Sequence, residues 1–140
     1  MNPSSIRIGA IGCGQFMSQQ HIQTVARSDN LVLQHLADID RDKLTEVANH
    51  YQPLRQSTRW EDVVNDPDVD IVVAGVLPQL HPQIARAAIE QGKPVYIEKP
   101  LAPTVEECLE VDRLSRKRGV PLAVGFNRRF APATQVMARA

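Results

Sequence analysis

The stretch "YIEKPLAPT", residues 96–104, places an acid, a base and a proline directly after a short apolar run. Such a run predicts a buried strand, whose packing does not require charges at its end. A lysine ammonium in a crevice can polarise a carbonyl or stabilise negative charge that develops on a substrate oxygen. Lys99 is therefore the candidate catalytic residue, and Pro100 fixes the path by which the chain leaves it. The competing interpretation is a surface ion pair of Glu98 with Lys99 that only caps the strand.

A second candidate is the glycine-containing stretch "GCGQFM" (12–17), which follows the first apolar run of the chain. Gly12 permits a tight turn, and Gly14 lets the backbone approach a pyrophosphate closely. The helix that opens at Gln15, Phe16 and Met17 offers free N–H groups and a positive dipole end to an anion. Gly or Ala usually occupies the third fingerprint position for close helix–strand contact, so we expect the long Met17 side chain to push the helix outward.

An acid follows the second apolar run where a ribose-binding carboxylate is expected. Asp38 lies 24 residues beyond Gly14, which suits a contact with the adenosine ribose. Asp40 is the competing acid, but it is better placed as the N-cap of the next helix. A carboxylate at this position accepts hydrogen bonds from the 2′- and 3′-hydroxyls and repels a 2′-phosphate, so NAD is favoured over NADP. Arg41 could bind the 2′-phosphate of NADP, although a solvated position in the first turn of the helix suits it better.

The elements that must position these residues alternate between strands and helices along the whole chain. Periodicity predicts strands at 6–12, 31–38, 69–76, 94–97 and 120–126, and a weak strand at 55–58. It predicts helices after the glycine turn and at 41–51, 60–65, 83–92 and 104–118. Strands separated by such helices form βαβ units, so the sequence predicts an α/β fold with a doubly wound parallel sheet. Ligands bind such a sheet at the carboxyl ends of its strands, where both candidate stretches fall.

The composition excludes several classes of function. The 140-residue chain has 16 basic and 16 acidic residues, whereas nucleic-acid-binding proteins usually show a basic excess, so we expect no nucleic acid. No apolar run is long enough to cross a membrane, and "MNPSSIRIG" lacks the regions of a signal peptide, so we expect no membrane and a cytoplasmic location. Cys13 and Cys108 lie far apart without metal-ligand spacing, so we expect no metal site.

Several motifs occur in one order: the glycine turn with His21 downstream, "DPDVDIVVAGV", the Leu80-His81 pair, "AAIEQGKPVYIEKPLA" and "GFNRRFAP". Together they resemble the glucose–fructose oxidoreductase, inositol dehydrogenase and MocA family of nicotinamide-dependent oxidoreductases. The resemblance covers Ile6 to Pro132, and its most specific part is the Glu-Lys-Pro motif. It implies a Rossmann domain that binds NAD(P), and hydride transfer at a sugar, cyclitol or related hydroxyl or carbonyl carbon.

The resemblance also assigns roles by position. Lys99 matches the family's lysine at the nicotinamide and the substrate. The implied cofactor-binding residues are Gly12, Gly14, Gln15, Phe16, Met17, Asp38, Leu77, His81, Glu98, Lys99, Pro100 and Asn127. Where the family often reads Thr-Pro-Asn, residues 76–78 are Val-Leu-Pro, so backbone contacts can survive but the asparagine side chain is lost. His81 is either a site residue or a packing residue at the start of a helix. One residue of 127–129 is expected to face the site.

Members of this family normally continue into a second α/β domain that carries substrate specificity and the acid/base residues. This chain stops at Ala140, so the resemblance implies the cofactor half of an enzyme: a truncated chain, a proteolytic remnant or the product of a short gene. Residues 1–140 would then bind the cofactor with little or no turnover. The full-length form is expected to act on a small sugar-like or cyclitol-like substrate as a homo-oligomer. His21, His35 and His50 are expected to have packing or surface roles.

Two other interpretations stay open. A non-catalytic NAD-binding module, such as a sensor or a regulatory domain, needs the phosphate and ribose contacts but has no evident use for an ammonium beside the nicotinamide. Another ligand of this fold class, such as S-adenosylmethionine, would keep the glycine turn and Asp38 but would leave residues 98–100 unexplained. Lys99 is thus the residue that distinguishes an oxidoreductase from a binding module.

Overall fold

The computed structural model describes residues 5–138, which form a six-stranded sheet. The strands are β1 (Ile6–Ile11), β2 (Leu31–Ala37), β3 (Arg55–Ser57), β4 (Ile71–Ala74), β5 (Val95–Ile97) and β6 (Leu122–Val124). All pairings are parallel, and the order is β3-β2-β1-β4-β5-β6. The strand order reverses between β1 and β4, which confirms the predicted doubly wound α/β fold. Residues 1–4, on which the expectation of no signal peptide partly depends, lie outside the described residues.

Helices connect these strands. A π-helical turn (Met17–Ile22) continues directly into α1 (Gln23–Ala26), and it is followed by α2 (Arg41–Tyr51), α3 (Trp60–Asn65), α4 (His81–Glu90) and α5 (Val105–Arg118). A 3-10 turn (Asn127–Phe130) and α6 (Pro132–Ala138) end the described chain. In the described residues no helix is long and apolar enough to cross a membrane, and no group of three potential metal-ligating side chains occurs.

The core consists of two apolar layers, one on each face of the sheet. One layer holds Ile11, Val72 and Ala74 against α3, α4 and α5, and the other holds Ile8 and Ala10 against the first helix and α2. Because side chains alternate along a strand, β1 and β4 supply apolar groups to both layers. These two strands are therefore buried on both faces, as expected for the centre of a parallel sheet, and their carboxyl ends form a fixed floor for the loops above them.

Two of the helices, α2 and α5, begin at the capping residues that the sequence indicates. The Asp40 carboxylate accepts hydrogen bonds from the N–H groups of Asp42 and Lys43 at the start of α2. Thr104 accepts one from the N–H of Glu107 at the start of α5, and Gly119 ends that helix with a φ of 65°. These caps satisfy backbone groups that a helix end leaves unpaired, and they fix where each crossover connection begins and ends.

A buried carboxylate joins several elements at the amino ends of the strands. Asp66 accepts hydrogen bonds from His35 Nδ1 at 2.8 Å and from Arg55 Nη1 at 2.6 Å. Burial by itself would raise the pKa of Asp66. A backbone hydrogen bond from Asp68 and the side-chain bonds from His35 and Arg55 outweigh burial, so the pKa is lowered. The ionised carboxylate therefore stabilises the folded chain.

We predict that Asp66→Asn lowers the free energy of unfolding by about 2 kcal/mol at neutral pH, because His35 and Arg55 lose a charged acceptor. A lowered folded-state pKa means that this stabilisation is present above the unfolded pKa of about 3.9 and is lost as the pH falls through the folded value. Urea unfolding of both proteins at neutral and acid pH measures the difference. Asp68→Asn, at a half-exposed carboxylate, is the control and should cost much less. Equal losses for the two variants would contradict this account.

Candidate functional site

Two adjoining cavities lie at the carboxyl edge of the sheet, on either side of a wall formed by Gly14, Gly75 and Val76. The first, of about 600 Å³, extends towards the end of β2 and is lined by Asp38 among others. The second, of about 550 Å³, extends towards the ends of β5 and β6. The cavities share these three lining residues, and together they form the crevice at the strand-order reversal.

The wall between the cavities depends on the glycine turn. Gly12 has a φ of 104°, and a Cβ atom added to it would overlap the carbonyl oxygen of Gly75. The tight turn predicted at Gly12 is therefore present, and only glycine fits there without strain. A Cβ added to Gly14 would meet no protein atom within 4 Å, because it would enter the crevice. The backbone at Gly14 is thus open to a ligand.

Met17 packs into the sheet beside a second glycine. Its side chain is 2% exposed, and a Cβ atom added to Gly75 would lie 2.6 Å from both Met17 Cγ and Met17 Sδ. The missing side chain at position 75 therefore provides the space that Met17 fills. The expectation that Met17 pushes the helix outward is therefore wrong, because its side chain packs inward. In this helix–strand contact the small residue is Gly75 on the strand side, and the large residue is Met17 on the helix.

We predict that Gly75→Ala and Met17→Ala are strongly coupled. Gly75→Ala alone should lower the free energy of unfolding by about 1–3 kcal/mol through overpacking, and Met17→Ala alone by about 2–4 kcal/mol through a cavity. The double variant should lose at least about 1 kcal/mol less than the sum, because the new methyl group enters the vacated space. Chemical denaturation of the four proteins measures this coupling. Additive losses would mean that the two side chains do not compete for the same volume.

Asp38 presents a carboxylate of fixed orientation at the end of β2. Its Oδ2 accepts a hydrogen bond from the N–H of Cys13 at 2.6 Å, and its Oδ1 accepts one from the N–H of Asp40 at 2.8 Å. Asp40, the competing acid, instead caps α2 and pairs with Lys43 at 3.2 Å. The hydrogen bond from the Lys43 backbone is the main cause that lowers the pKa of Asp40. Of the two competing acids, Asp38 is therefore the one that lines the first cavity, where Glu61 also lies.

The thiol beside this carboxylate is not a nucleophile. Burial, followed by the charge of Asp38, raises the pKa of Cys13 to about 12. The thiol therefore stays protonated at neutral pH, and thiolate is the reactive form of cysteine. Cys13 packs with the residues beneath the first helix, so the turn contributes only backbone groups to the crevice.

At the other end of the crevice, the two charges of the Glu-Lys-Pro motif are kept apart. The Glu98 carboxylate is bonded to His21 Nε2 at 2.7 Å and accepts a hydrogen bond from the Tyr96 hydroxyl at 3.2 Å. Between residues 5 and 138, no carboxylate oxygen lies within ion-pair distance of the Lys99 ammonium. The interpretation of Glu98 and Lys99 as a surface ion pair is therefore wrong. Lys99 is exposed and lines the second cavity.

His21 lines none of the cavities, but it contacts residues of the second cavity in a way that the sequence analysis did not indicate. It was expected to have a packing or surface role, yet its ring bonds Glu98 and lies against Phe16 and Tyr96. One signal pointed to this position. His21 follows Met17 by four residues, and residues with that spacing share a helix face, so the face that buries Met17 also directs His21 to the sheet.

His81 has a packing role rather than a place in either cavity. It is 1% exposed, and its Nε2 accepts a hydrogen bond from the N–H of Val76 at 3.3 Å. Its Nδ1 must then carry the proton and donate to the carbonyl of Pro100 at 2.7 Å. These contacts favour the packing alternative for His81, and a contact of His81 or Pro100 with the cofactor stays a prediction. The ring joins the loop after β4 to the loop after β5, where the Lys99–Pro100 peptide bond is cis.

The remaining candidate residues lie around the crevice. Gln15, Phe16 and Met17 line the second cavity at the start of the first helix. Leu77, 70% exposed, lines the first cavity. Asn127 lines the second cavity together with Arg128, and a third cavity of about 350 Å³ adjoins them with Arg129 on its wall. The order of the elements therefore brings the open backbone at Gly14, the Asp38 carboxylate and the Lys99 ammonium to the same pair of adjoining cavities.

These features define a domain of the dinucleotide-binding Rossmann class: a glycine turn after the first strand, an oriented acid after the second, and a crevice at the reversal. Residues 6–126 match the GFO/IDH/MocA oxidoreductase family, described as an NAD-binding Rossmann fold, and the chain belongs to this family.

Particular relatives agree with this assignment. The chain is 37% identical over 133 residues to an inositol 2-dehydrogenase of Acidothermus cellulolyticus, covering 92% of this chain and 38% of the relative. It resembles the WlbA dehydrogenase of Chromobacterium violaceum in complex with NADH and UDP-GlcNAcA, at a TM-score of 0.90 and 27% identity, covering 100% of this chain and 40% of the other. It also resembles a biliverdin reductase of Synechocystis sp. PCC 6803 in complex with biliverdin and NADP+, at a TM-score of 0.88 and 26% identity. That match covers 96% of this chain and 42% of the other.

Proposed function

We propose that this chain is the cofactor-binding part of an oxidoreductase that transfers hydride between NAD and a hydroxyl or carbonyl carbon of a sugar, cyclitol or related small molecule. The observation that carries this proposal is the placement of Lys99. Its ammonium has no ion-pair partner in the described residues, and it lines the same crevice as the glycine turn and Asp38. A module that only binds a dinucleotide has no need of a free cation at this end of the groove.

The proposed cofactor spans the two cavities. The adenosine ribose would bind the Asp38 carboxylate in the first cavity. The pyrophosphate would cross the wall at Gly14, where the backbone is open and the helix N-terminus points at the anion. The nicotinamide would then lie in the second cavity beside Lys99. Lys99 would stabilise the charge on the substrate oxygen there, beside a cofactor that would supply or take up the hydride.

The oriented carboxylate of Asp38 supports NAD rather than NADP. Both of its oxygens are held by backbone N–H groups, so its position at the rim of the first cavity is fixed. A fixed negative charge there repels a 2′-phosphate and accepts hydrogen bonds from a free ribose hydroxyl. Lys43, which also lines this cavity, is paired with Asp40 and is therefore less available to a phosphate.

The substrate-binding part of the enzyme is proposed to lie outside this chain. The chain spans 36–40% of the length of the curated relatives that it matches. We propose that a further domain supplies the acid/base residue and selects the substrate, so residues 1–140 bind the cofactor without turnover. Exposed apolar side chains at the crevice and beyond it, including Phe126 and Phe130, would contact that domain.

Calorimetric titration with NADH and NADPH tests the choice of cofactor. We expect tighter binding of NADH, and we expect Asp38→Ala to weaken NADH about tenfold while NADPH changes little or improves, because the mutation removes a ribose acceptor and a repulsive charge. Asp40→Asn is the matched control, since it keeps a capping side chain and removes a neighbouring charge. A preference for NADPH, or the same loss of NADH binding in the control, would refute the role of Asp38.

Gly14→Ala is expected to change cofactor binding without changing the stability of the fold. A methyl group at this position meets no protein atom, so we expect the free energy of unfolding to change by less than about 0.5 kcal/mol. The same methyl group enters the space assigned to the pyrophosphate, so NADH affinity should fall at least about tenfold. Thermal or urea unfolding and calorimetry on the same samples provide both values. Undiminished NADH binding would place the cofactor elsewhere.

A further inference from the structure

We propose that His21 and Glu98 form a positioning pair that keeps the Lys99 ammonium free, and so couples the cofactor-binding helix to the loop that carries the lysine. The role assigned to Lys99 rests on the proposed function. The evidence for the pair itself consists of contacts within the chain, and these contacts form without a cofactor. His21 and Glu98 are 77 residues apart in sequence, and they meet between the first helix and the end of β5.

The Glu98 carboxyl group is surrounded by three hydrogen-bonding groups. Its side chain is 12% exposed. Oε1 accepts from the Tyr96 hydroxyl at 3.2 Å and lies 2.7 Å from His21 Nε2, and Oε2 accepts from the N–H of Lys99 at 3.3 Å. In the proposed pair, Oε1 accepts a hydrogen bond from His21 Nε2 as well, because a carboxylate oxygen has only acceptor sites. Burial, followed by the charge of Glu98, raises the pKa of Tyr96, so the phenol keeps its proton and remains a donor.

Two glycines confine this carboxylate to its slot. A Cβ atom added to Gly125, which follows β6, would lie 2.7 Å from both Glu98 Oε1 and the Tyr96 hydroxyl. A Cβ atom added to Gly75 would lie 3.3 Å from Glu98 Cγ. The side chain therefore fits between the ends of β4 and β6 only because neither position carries a side chain. It is largely buried at the wall of the second cavity, and it makes no ion pair with the exposed side chain of Lys99.

The imidazole is held by two aromatic neighbours. The ring of Phe16 meets that of His21 edge-on at a centroid distance of 5.4 Å, and the ring of Tyr96 lies at 5.0 Å. Phe16 also lines the second cavity, where the nicotinamide is proposed to bind. A continuous series of contacts thus runs from the cavity wall through His21 and Glu98 to the backbone of Lys99.

Loss of the His21 donor should redirect Glu98. A largely buried carboxylate that loses a hydrogen bond is destabilised until another donor replaces the lost one. The ammonium of the next residue can supply that donor, and the resulting ion pair would neutralise the charge that the proposed chemistry needs. His21 is therefore a positioning residue, which acts through Glu98 on Lys99.

The test measures how fast each lysine reacts. The chain has four lysines, Lys43, Lys93, Lys99 and Lys117. Limited acetylation followed by mass spectrometry gives the rate at Lys99 relative to Lys117, which is exposed on α5. In His21→Leu we expect this ratio to fall about threefold, the effect of a weak, partly exposed ion pair. Glu98→Gln in the same chain should restore the ratio, and His21→Gln, which keeps a donor, should leave it near the wild-type value.

A purely structural role would not give that pattern, because removing Glu98's charge would not rescue a packing defect at His21. An unchanged ratio in His21→Leu, or a reduced ratio that Glu98→Gln fails to restore, overturns the proposal. If circular dichroism shows that His21→Leu is unfolded, Gly125→Ala is used to test the proposal instead. Its methyl group displaces the Glu98 carboxylate without removing a hydrogen-bond donor. The ratio should fall in that variant too, and an unchanged ratio again overturns the proposal. Calorimetry with NADH on the wild-type chain tests the proposed function separately.

Discussion

The site depends on the close approach of two backbone segments at the point where the strand order reverses. The N–H of Gly12 donates to the carbonyl of Ala37 on one side, and the N–H of Gly75 donates to the carbonyl of Ile11 on the other. A side chain at position 12 would overlap the carbonyl of Gly75. Because neither position carries a side chain, the loops after β1 and β4 can lie close together. The first cavity lies on one side of them and the second cavity on the other. Gly75 also admits Met17, so one residue serves the turn and the first helix together.

Two of the carboxylates along this crevice, Asp38 and Glu98, are held by hydrogen bonds, whereas Lys99 and Arg128 line the second cavity without an ion-pair partner among the described residues. Asp38 is fixed by two backbone N–H groups, and Glu98 is fixed by an imidazole, a phenol and a backbone N–H. Each carboxylate therefore has a defined position, Asp38 at the first cavity and Glu98 at the inner wall of the second. Lys99 remains available at the same end of the crevice, with Arg128 beside it. This arrangement explains why an acid and a base lie next to each other at the end of β5. Glu98 anchors the loop after β5, and that loop exposes Lys99 to the second cavity.

The fold could be predicted from the sequence because it depends on local patterns. Alternating apolar runs and capped helices indicated the six parallel strands, and the intervals between Gly12, Gly14 and Asp38 indicated an acid close to the glycine turn. The contacts of Met17, His21 and His81 could not be predicted in the same way. Each joins residues on different elements, and their partners become neighbours only once the crossovers have folded. The periodicity of a helix shows which face a residue occupies, but it does not show which strand end lies opposite.

The central claim is that one dinucleotide spans the crevice from Asp38 to Lys99, and a crystal structure of the chain with NADH tests it most directly. The account predicts an adenosine ribose hydroxyl bonded to the Asp38 carboxylate, pyrophosphate oxygens at the backbone of Gly14, and the nicotinamide ring in the second cavity beside the Lys99 ammonium. A complex in which the nicotinamide lies outside the second cavity, away from Lys99, would contradict it. In that case the free lysine would need another explanation, and the oxidoreductase reaction could not be assigned to this groove.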